Sequence, residues 1–555
     1  MSPFAFPVHG DLIPFPGLTE TSGEIAGLRR SLPREIAAFR YKEGLPLLWV
    51  VLLGGTGTGK STVLNALCGR EISEAGVERP KTEGPVVYVH EGIPVERDFP
   101  FPGVRVVRRE EGRENGFRGD PGTVTVVTHK REEWRHLALV DTPDVDSVEE
   151  RNRSMAEDLF LLADGVVYLT SQEKYADEVP SRYFRRIREE GKPHAVVLNK
   201  ADSRMTAGEA RRMFDPSPVF LVPPVHPSSP ERLGGEPSFL EFREDFSRRF
   251  GMEAFPALRA EVGKKTRERL ALRLSRLLEL LRAEGTAAAA WKDTLRTLCD
   301  GISEGLAGLL ETRGGEERKL DLQREIRKSF SRYDLLRGPR KIIREVLLFP
   351  LRVTGILSRE RERRNEFREI RRKVDNSPIW NAVEEFQLAV LERLSPRDGE
   401  APLFDALRQP GVSMSREEVE ARVEAEQDRL ASWLEETFRE LSRGIPKTKE
   451  VGIYTTSVLW GAFLLSFEIV IGGGLSLLDA ILGSFLAPYI TKGSVELFAY
   501  REVRKVAMEM KRRYESGIRA IFEEQSARFE GCLDGLFPGP ETLAGLEDLL
   551  EDLRA

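Results

Sequence analysis

At 555 residues the chain exceeds what one ordinary hydrophobic core organises, which implies two or three domains. Its 40 % hydrophobic and 31 % charged residues suit a folded, helix-rich body, and a net charge of -6 excludes a global pull toward nucleic acid or anionic lipid. Three distant cysteines, Cys68, Cys299 and Cys532, fit neither a disulfide framework nor a zinc site and point to a reducing compartment, and no export signal is evident at the N-terminus.

A Pro-rich leader precedes "TSGEIAGLRRSLPREIAAFRYKEG", Thr21 to Gly44, which reads as a helix that Pro33 breaks or kinks. From Leu45 to about Val225, β-rich runs such as "PLLWVVLLG", "HLALVDTP" and "KPHAVVLNK" alternate in part with helical stretches. Strands apolar throughout, alternating with helices, predict an α/β domain with a mainly parallel sheet covered on both faces. Helical features fade between Glu91 and Lys130, where an antiparallel excursion is expected. "HPSSPERLGGEPS", His226 to Ser238, reads as an exit linker. From Phe239 onward strand signals nearly vanish, and long Leu/Arg/Glu patterns with helical spacing predict an elongated all-α bundle without a fixed repeat.

Chemistry concentrates first in "LLGGTGTGKSTVLNAL", which follows an apolar strand and opens a helix. It satisfies G-x-x-x-x-G-K-S/T in the context of a phosphate-binding loop. Gly54, Gly55, Thr56, Gly57, Thr58 and Gly59 would turn backbone N–H groups inward around phosphates, and Lys60, Ser61 and Thr62 open the helix behind. Lys60 would reach the β- and γ-phosphates and Ser61 would offer its hydroxyl to Mg²⁺. The base is specified by "LNKAD" after the strand "HAVVL", where Asn199, Lys200 and Asp202 match N-K-x-D. A carboxylate at Asp202 can accept from the two donors on the guanine edge, which adenine lacks, so GTP and GDP are the expected ligands. Lys200 would flank the base, and Asn199 would tie its loop to the phosphate loop.

Between these motifs, "HLALVDTPD" ends a strand on Asp141, placed to hold Mg²⁺ through water. The glycine of D-x-x-G is replaced by Asp144, and the usual water-orienting glutamine by Val145, with Asp144, Asp146 and Glu149 as nearby polar groups. Thr82 in "ERPKTEGP" is the candidate switch threonine for Mg²⁺ and the attacking water; Thr123, Thr125 and Thr128 are poorer candidates because they lie in a β-like run. Lys60, Ser61 and Thr82 are thus the catalytic candidates, Ser61, Thr82 and Asp141 the metal candidates, and slow intrinsic turnover is expected.

A second informative run is Val451 to Thr491, which has no Lys or Arg and only Glu468 and Asp479 as acids. Gly472 to Gly474 divide it into two arms, roughly 30 Å and about 24 Å long if helical. Basic residues on both flanks put both ends on the cytoplasmic side of a membrane hairpin; the alternative is a hairpin buried in the helical bundle. Ile342 to Lys373, with an apolar head and an Arg-rich tail, reads either as a lipid-surface contact or as an exposed salt-bridged helix.

The "GGTGTGKST" loop, "RPKT", "DTPD" and "NKAD", with a preceding helix, long following helices and a late apolar hairpin, make the chain similar to bacterial dynamin-like GTPases. The resemblance implies a leader and helix at 1–44 packing with the helical bundle, a G domain at 45–235, a helical bundle or stalk at 236–445, a membrane paddle at 446–495 and C-terminal helices at 496–555 returning to the bundle. It further implies Mg²⁺-dependent GTP hydrolysis, homo-oligomers formed through G domains or stalk, and lipid contact through 451–491 at the inner face of the cell membrane. Thr56 and Gly57 stand where dynamins have Gln and Ser. The G domain also resembles Era-like GTPases of ribosome assembly, so a regulatory GTPase with its hairpin as core, or a poorly hydrolysing scaffold, are the alternatives. Nucleic acid is not an expected partner, since no basic–aromatic surface is concentrated.

Overall fold

A computed structural model describes residues 13–74, 84–111, 117, 119–120, 122–146, 149–171, 178–201, 207–224, 230–312, 371, 374–394, 400–443, 459, 462–464, 466–467, 470–471 and 494–555. Eight runs become strands: β1 Leu48–Gly54, β2 Val86–His90, β3 Arg105–Glu110, β4 Thr123–His129, β5 Leu137–Asp141, β6 Gly165–Ser171, β7 His194–Asn199 and β8 Val219–Val222. They form one sheet in the order β3-β4-β2-β5-β1-β6-β7-β8. β5, β1, β6, β7 and β8 pair parallel, in keeping with strands that are apolar on both faces.

The excursion between Glu91 and Lys130 differs from its expectation in one respect. β3 and β4 pair parallel with each other, as do β4 and β2, and the antiparallel junction is the β2–β5 pairing just before it. The whole β3-β4-β2 block therefore runs against the rest of the sheet. Local propensity cannot reveal this, because strand direction is set by connections and not by composition.

Alternate residues of β1 supply two cores. Trp49, Val51 and Leu53 pack with Phe160 of α3 (Glu150–Leu162) and Ile187 of α4 (Glu178–Glu189). Val50 and Leu52 pack with Leu64 and Leu67 of α2 (Lys60–Cys68). The segment read as an exit linker is not one. Its described part forms the helices Pro230–Gly234 and Pro237–Phe250, and Leu233, Phe239, Phe242, Phe246 and Phe250 cover the α2 face. Pro and Gly here mark helix starts, and the Phe spacing of three and four residues is one helical face. Phe250 lies so close to β6 that a Cβ on Gly165 would sit 2.3 Å from its ring.

The helix Ser22–Glu43, α1, runs on through Pro33, so of the expected break or kink the break does not occur. Ile25, Leu32 and Ile36 are buried along it, and Glu35 holds Arg273 at 2.6 Å. Burial and ion pairing of this kind oppose the ~3 kcal/mol that an interior proline costs.

The chain divides into two units. One comprises Glu24–Leu281 with Pro538–Ala555, including the sheet; the other comprises Pro14–Gly23 with Arg282–Phe537. The second is helical throughout its described regular elements. Its core holds Phe386, Phe438, Phe522 and Phe529. Buried Glu284 accepts from the backbone N–H groups of Leu18 and Thr19 at 2.9 and 2.8 Å, fastening the leader to this unit.

Most of Val451 to Thr491 lies outside the described residues, as does Ile342 to Lys373 apart from Arg371. The described part of the first arm bears on the two hairpin readings. Leu459, Phe463, Phe467, Val470 and Ile471 are buried in the helical unit's own core, with Phe463 stacked edge-on to Phe438. Among the described residues no helix is long and apolar enough to cross a membrane. Truncating a side chain this enclosed leaves a cavity, so Phe463→Ala is expected to destabilise the helical unit by about 3–5 kcal/mol in denaturant unfolding. A loss under roughly 0.5 kcal/mol would mean that this side chain faces outward instead.

Candidate nucleotide-binding site

The register sets the site. Leu52 pairs with Asp141, Gly54 with Leu169 and Ser171 with Asn199, so β1, β5, β6 and β7 end on one edge. The loops leaving β1, β5 and β7 therefore meet at the carboxyl ends of parallel strands, where α/β sheets bind ligands.

Glycine is required at two points of the first loop. A Cβ on Gly54 would lie 2.2 Å from the Leu169 carbonyl oxygen. Gly59 caps α2 with φ +89, and its Cβ would lie 2.2 Å from Asn199 Nδ2. That Asn199 amide donates to Thr58 O at 2.9 Å, the tie between the two loops that the sequence predicted. Its Oδ1 accepts from the Lys200 N–H at 2.9 Å, and Lys200 Nζ donates to Gly57 O at 2.9 Å. These bonds hold Lys200 in the left-handed region at φ +58, a conformation that costs of order 1 kcal/mol for a side-chain-bearing residue.

Lys60 is buried, and its ammonium donates to Gly54 O at 3.0 Å, Gly55 O at 3.2 Å and Asp144 Oδ1 at 2.5 Å. Asp141 is fully buried. Its Oδ2 accepts from Ser61 Oγ at 2.6 Å and Ser73 Oγ at 2.7 Å, while Oδ1 has no hydrogen-bond partner among the described residues. Burial raises this carboxyl above the ordinary Asp range, opposed by the Lys60 charge and the two hydroxyls. A buried carboxylate with an orphaned oxygen beside a serine hydroxyl has the donor chemistry of a hard-cation site, so the residues fit Mg²⁺.

Of the remaining expectations, Thr62 lies in the first turn of α2, and Thr123, Thr125 and Thr128 belong to β4. Thr82 and Asp202 fall outside the described residues. Val145 is buried; Asp146 accepts from Thr56 N at 2.7 Å and Thr56 Oγ1 at 2.8 Å, and Glu149 from Asn152 Nδ2 at 3.2 Å. Cys68, Cys299 and Cys532 are unpaired thiols. Ser73 was missed. Its only sequence signal is buried Asn65 on α2, whose Oδ1 accepts from the N–H groups of Ile72 and Ser73 at 2.8 and 2.9 Å.

Residues 49–200 match the family model of the 50S ribosome-binding GTPases. That stretch is similar to a P-loop GTPase domain. Members of that family bind GTP or GDP with Mg²⁺. The match takes in the phosphate loop and the strands from β1 to β7, and ends at Lys200 before Asp202 and β8; the helical unit lies beyond it. Among solved structures, the chain is similar to Era in complex with MgGDPNP and nucleotides 1506–1542 of 16S ribosomal RNA, at 17 % identity and a TM-score of 0.24 over 37 % of this chain. It spans 57 % of the length of that Era structure. It is also similar to two structures of an oligomerised bacterial dynamin pair described as sensing and tethering membranes, at 12 % and 14 % identity. Their TM-scores are 0.28 and 0.27, each over 65 % of this chain and 70 % of theirs. No curated protein matches the chain.

Removing the Ser73 hydroxyl leaves Asp141 Oδ2 to Ser61 alone. Ser73→Ala is therefore expected to raise the Mg²⁺ concentration needed for half-maximal nucleotide binding about 10-fold, with Ser73→Thr restoring it; calorimetric titration at fixed nucleotide checks both.

Proposed function

We propose that the chain binds GTP and hydrolyses it to GDP and phosphate, in the manner of a dynamin-like GTPase whose helical unit responds to the bound nucleotide. The observation carrying the nucleotide reading is the Asn199–Thr58 hydrogen bond, which sets the N-K-x-D loop directly against the phosphate loop. With the base against Lys200, Asp202 would accept from the two guanine-edge donors, and the first turn of α2 would direct N–H groups at the phosphates. Ser61, Asp141 and Thr82 would hold Mg²⁺, which when bound neutralises phosphate charge. Ser73 keeps Asp141 turned so that Oδ1 remains available.

Val145 offers no group to orient water, and Asp144 and Asp146 are both engaged with the phosphate loop. Intrinsic turnover is accordingly slow, and a second copy associating through G domains or stalk would supply the missing transition-state contact. Calorimetry on Asp202→Ala tests the base reading: GTP affinity is expected to fall about 1000-fold with little change for ATP. An unaltered preference would remove the guanine assignment.

Membrane association at the inner face of the cell membrane, through 451–491, completes the dynamin-like reading. A second reading takes that run as core and the protein as an Era-like regulatory GTPase. It is favoured at one place, since Leu459, Phe463 and Phe467 are enclosed by the helical unit. Flotation of the full chain with anionic liposomes separates the two. Nucleotide-dependent co-migration is expected from the first reading, and a chain that stays at the bottom of the gradient in every nucleotide state belongs to the second.

A further inference from the structure

The loop after β5 touches the phosphate loop at three places. Asp144 Oδ1 lies 2.5 Å from Lys60 Nζ, Val145 N donates to Gly54 O at 3.5 Å, and Asp146 accepts from the N–H and hydroxyl of Thr56. The loop after β7 holds the other part of the cradle, through Gly57 O and Thr58 O. Phosphates extend away from the base, so the last of them falls toward the acidic loop and its Lys60 contact.

An ammonium has three N–H donors, and those of Lys60 meet Gly54 O, Gly55 O and Asp144 Oδ1. Two of these acceptors are backbone. A phosphate oxygen can therefore take Lys60 most readily by turning aside the Asp144 side chain, which is 22 % exposed against 5 % for Lys60. The displaced carboxylate stays nearby, because Val145 is buried and Asp146 is hydrogen-bonded to Thr56. It then faces whatever charge lies at the tail's end.

We propose that Asp144 is a specificity-determining residue that biases the cradle toward the diphosphate and against the triphosphate. The inference rests on the guanine-nucleotide reading above. Both nucleotides must displace the carboxylate from Lys60, but the triphosphate alone brings a further anionic group to its side. Like charges at this range are worth roughly ten-fold or more in relative affinity. The chain would thus hold GDP by default and take up GTP when something draws the acidic loop away from Lys60.

The experiment is calorimetric binding of GDP and of a non-hydrolysable GTP analogue to the full chain at saturating Mg²⁺. Asp144→Asn keeps the shape and an acceptor for Lys60 while removing the charge; Asp144→Ser is a second neutral variant should the first fold poorly, and Asp144→Glu retains the charge. The expected result is a shift of about ten-fold or more toward the triphosphate analogue in the neutral variants, with the Glu variant near the wild-type ratio. Affinities that change in parallel, or not at all, overturn the role of Asp144 while leaving nucleotide binding intact. A folded wild-type chain that binds neither nucleotide overturns the guanine reading itself, and the bias with it.

Discussion

The side-chain amide of Asn199 reaches across to the carbonyl of Thr58, and the geometry of the nucleotide edge depends on that bond. It requires Gly59, since any Cβ there would strike the amide nitrogen, and it is locked by the Asn199 Oδ1 bond that keeps Lys200 left-handed. Two loops separated by 141 residues of sequence are thereby set as one surface. Their parallel strands bring them to the same edge, but the strand register alone leaves loop positions undetermined; the amide supplies the remaining constraint.

Beside this surface a second set of contacts is electrostatic. Lys60 and Asp144 form a largely enclosed ion pair, while Asp141, more deeply buried, relies on two hydroxyls. A buried ion pair contributes little net stability once desolvation is counted, yet it is costly to leave half-made. The phosphate loop is therefore held in shape by charges that a bound phosphate would have to rearrange, which is the basis of the bias proposed for Asp144.

Much of the nucleotide unit was legible because its signals are local. The glycine spacing, the Lys-Ser pair and N-K-x-D each need a particular backbone and announce it in a few residues. What escaped depends on distance. Strand direction in the β3-β4-β2 block follows from connections, the helix Pro237–Phe250 looked like linker because Pro and Gly dominate its start, and Ser73 acquires meaning only when folding brings it to Asp141. The break expected at Pro33 failed for the opposite reason: a strong local rule is opposed by buried contacts on either side of it. In the apolar run of the helical unit, composition cannot distinguish lipid from protein as the apolar surroundings, and only the neighbours of Phe463 and Phe467 speak to it.

Both units are stitched from pieces far apart in the chain. The leader's Leu18 and Thr19 complete a carboxylate bonded far along at Glu284, and the helix Pro540–Arg554 buries Leu546, Leu549 and Leu553 in the unit that contains the sheet, where Arg40 meets Asp552 at 2.8 Å. The sheet-bearing unit cannot close its core before Pro540–Arg554 has been made, nor the helical unit before the segment ending at Phe537. Pairings of such long sequence separation are slow to form, and apolar surface waits exposed meanwhile. Synthesis of this chain thus passes through a stage in which both halves are unfinished together, a natural point of engagement for chaperones.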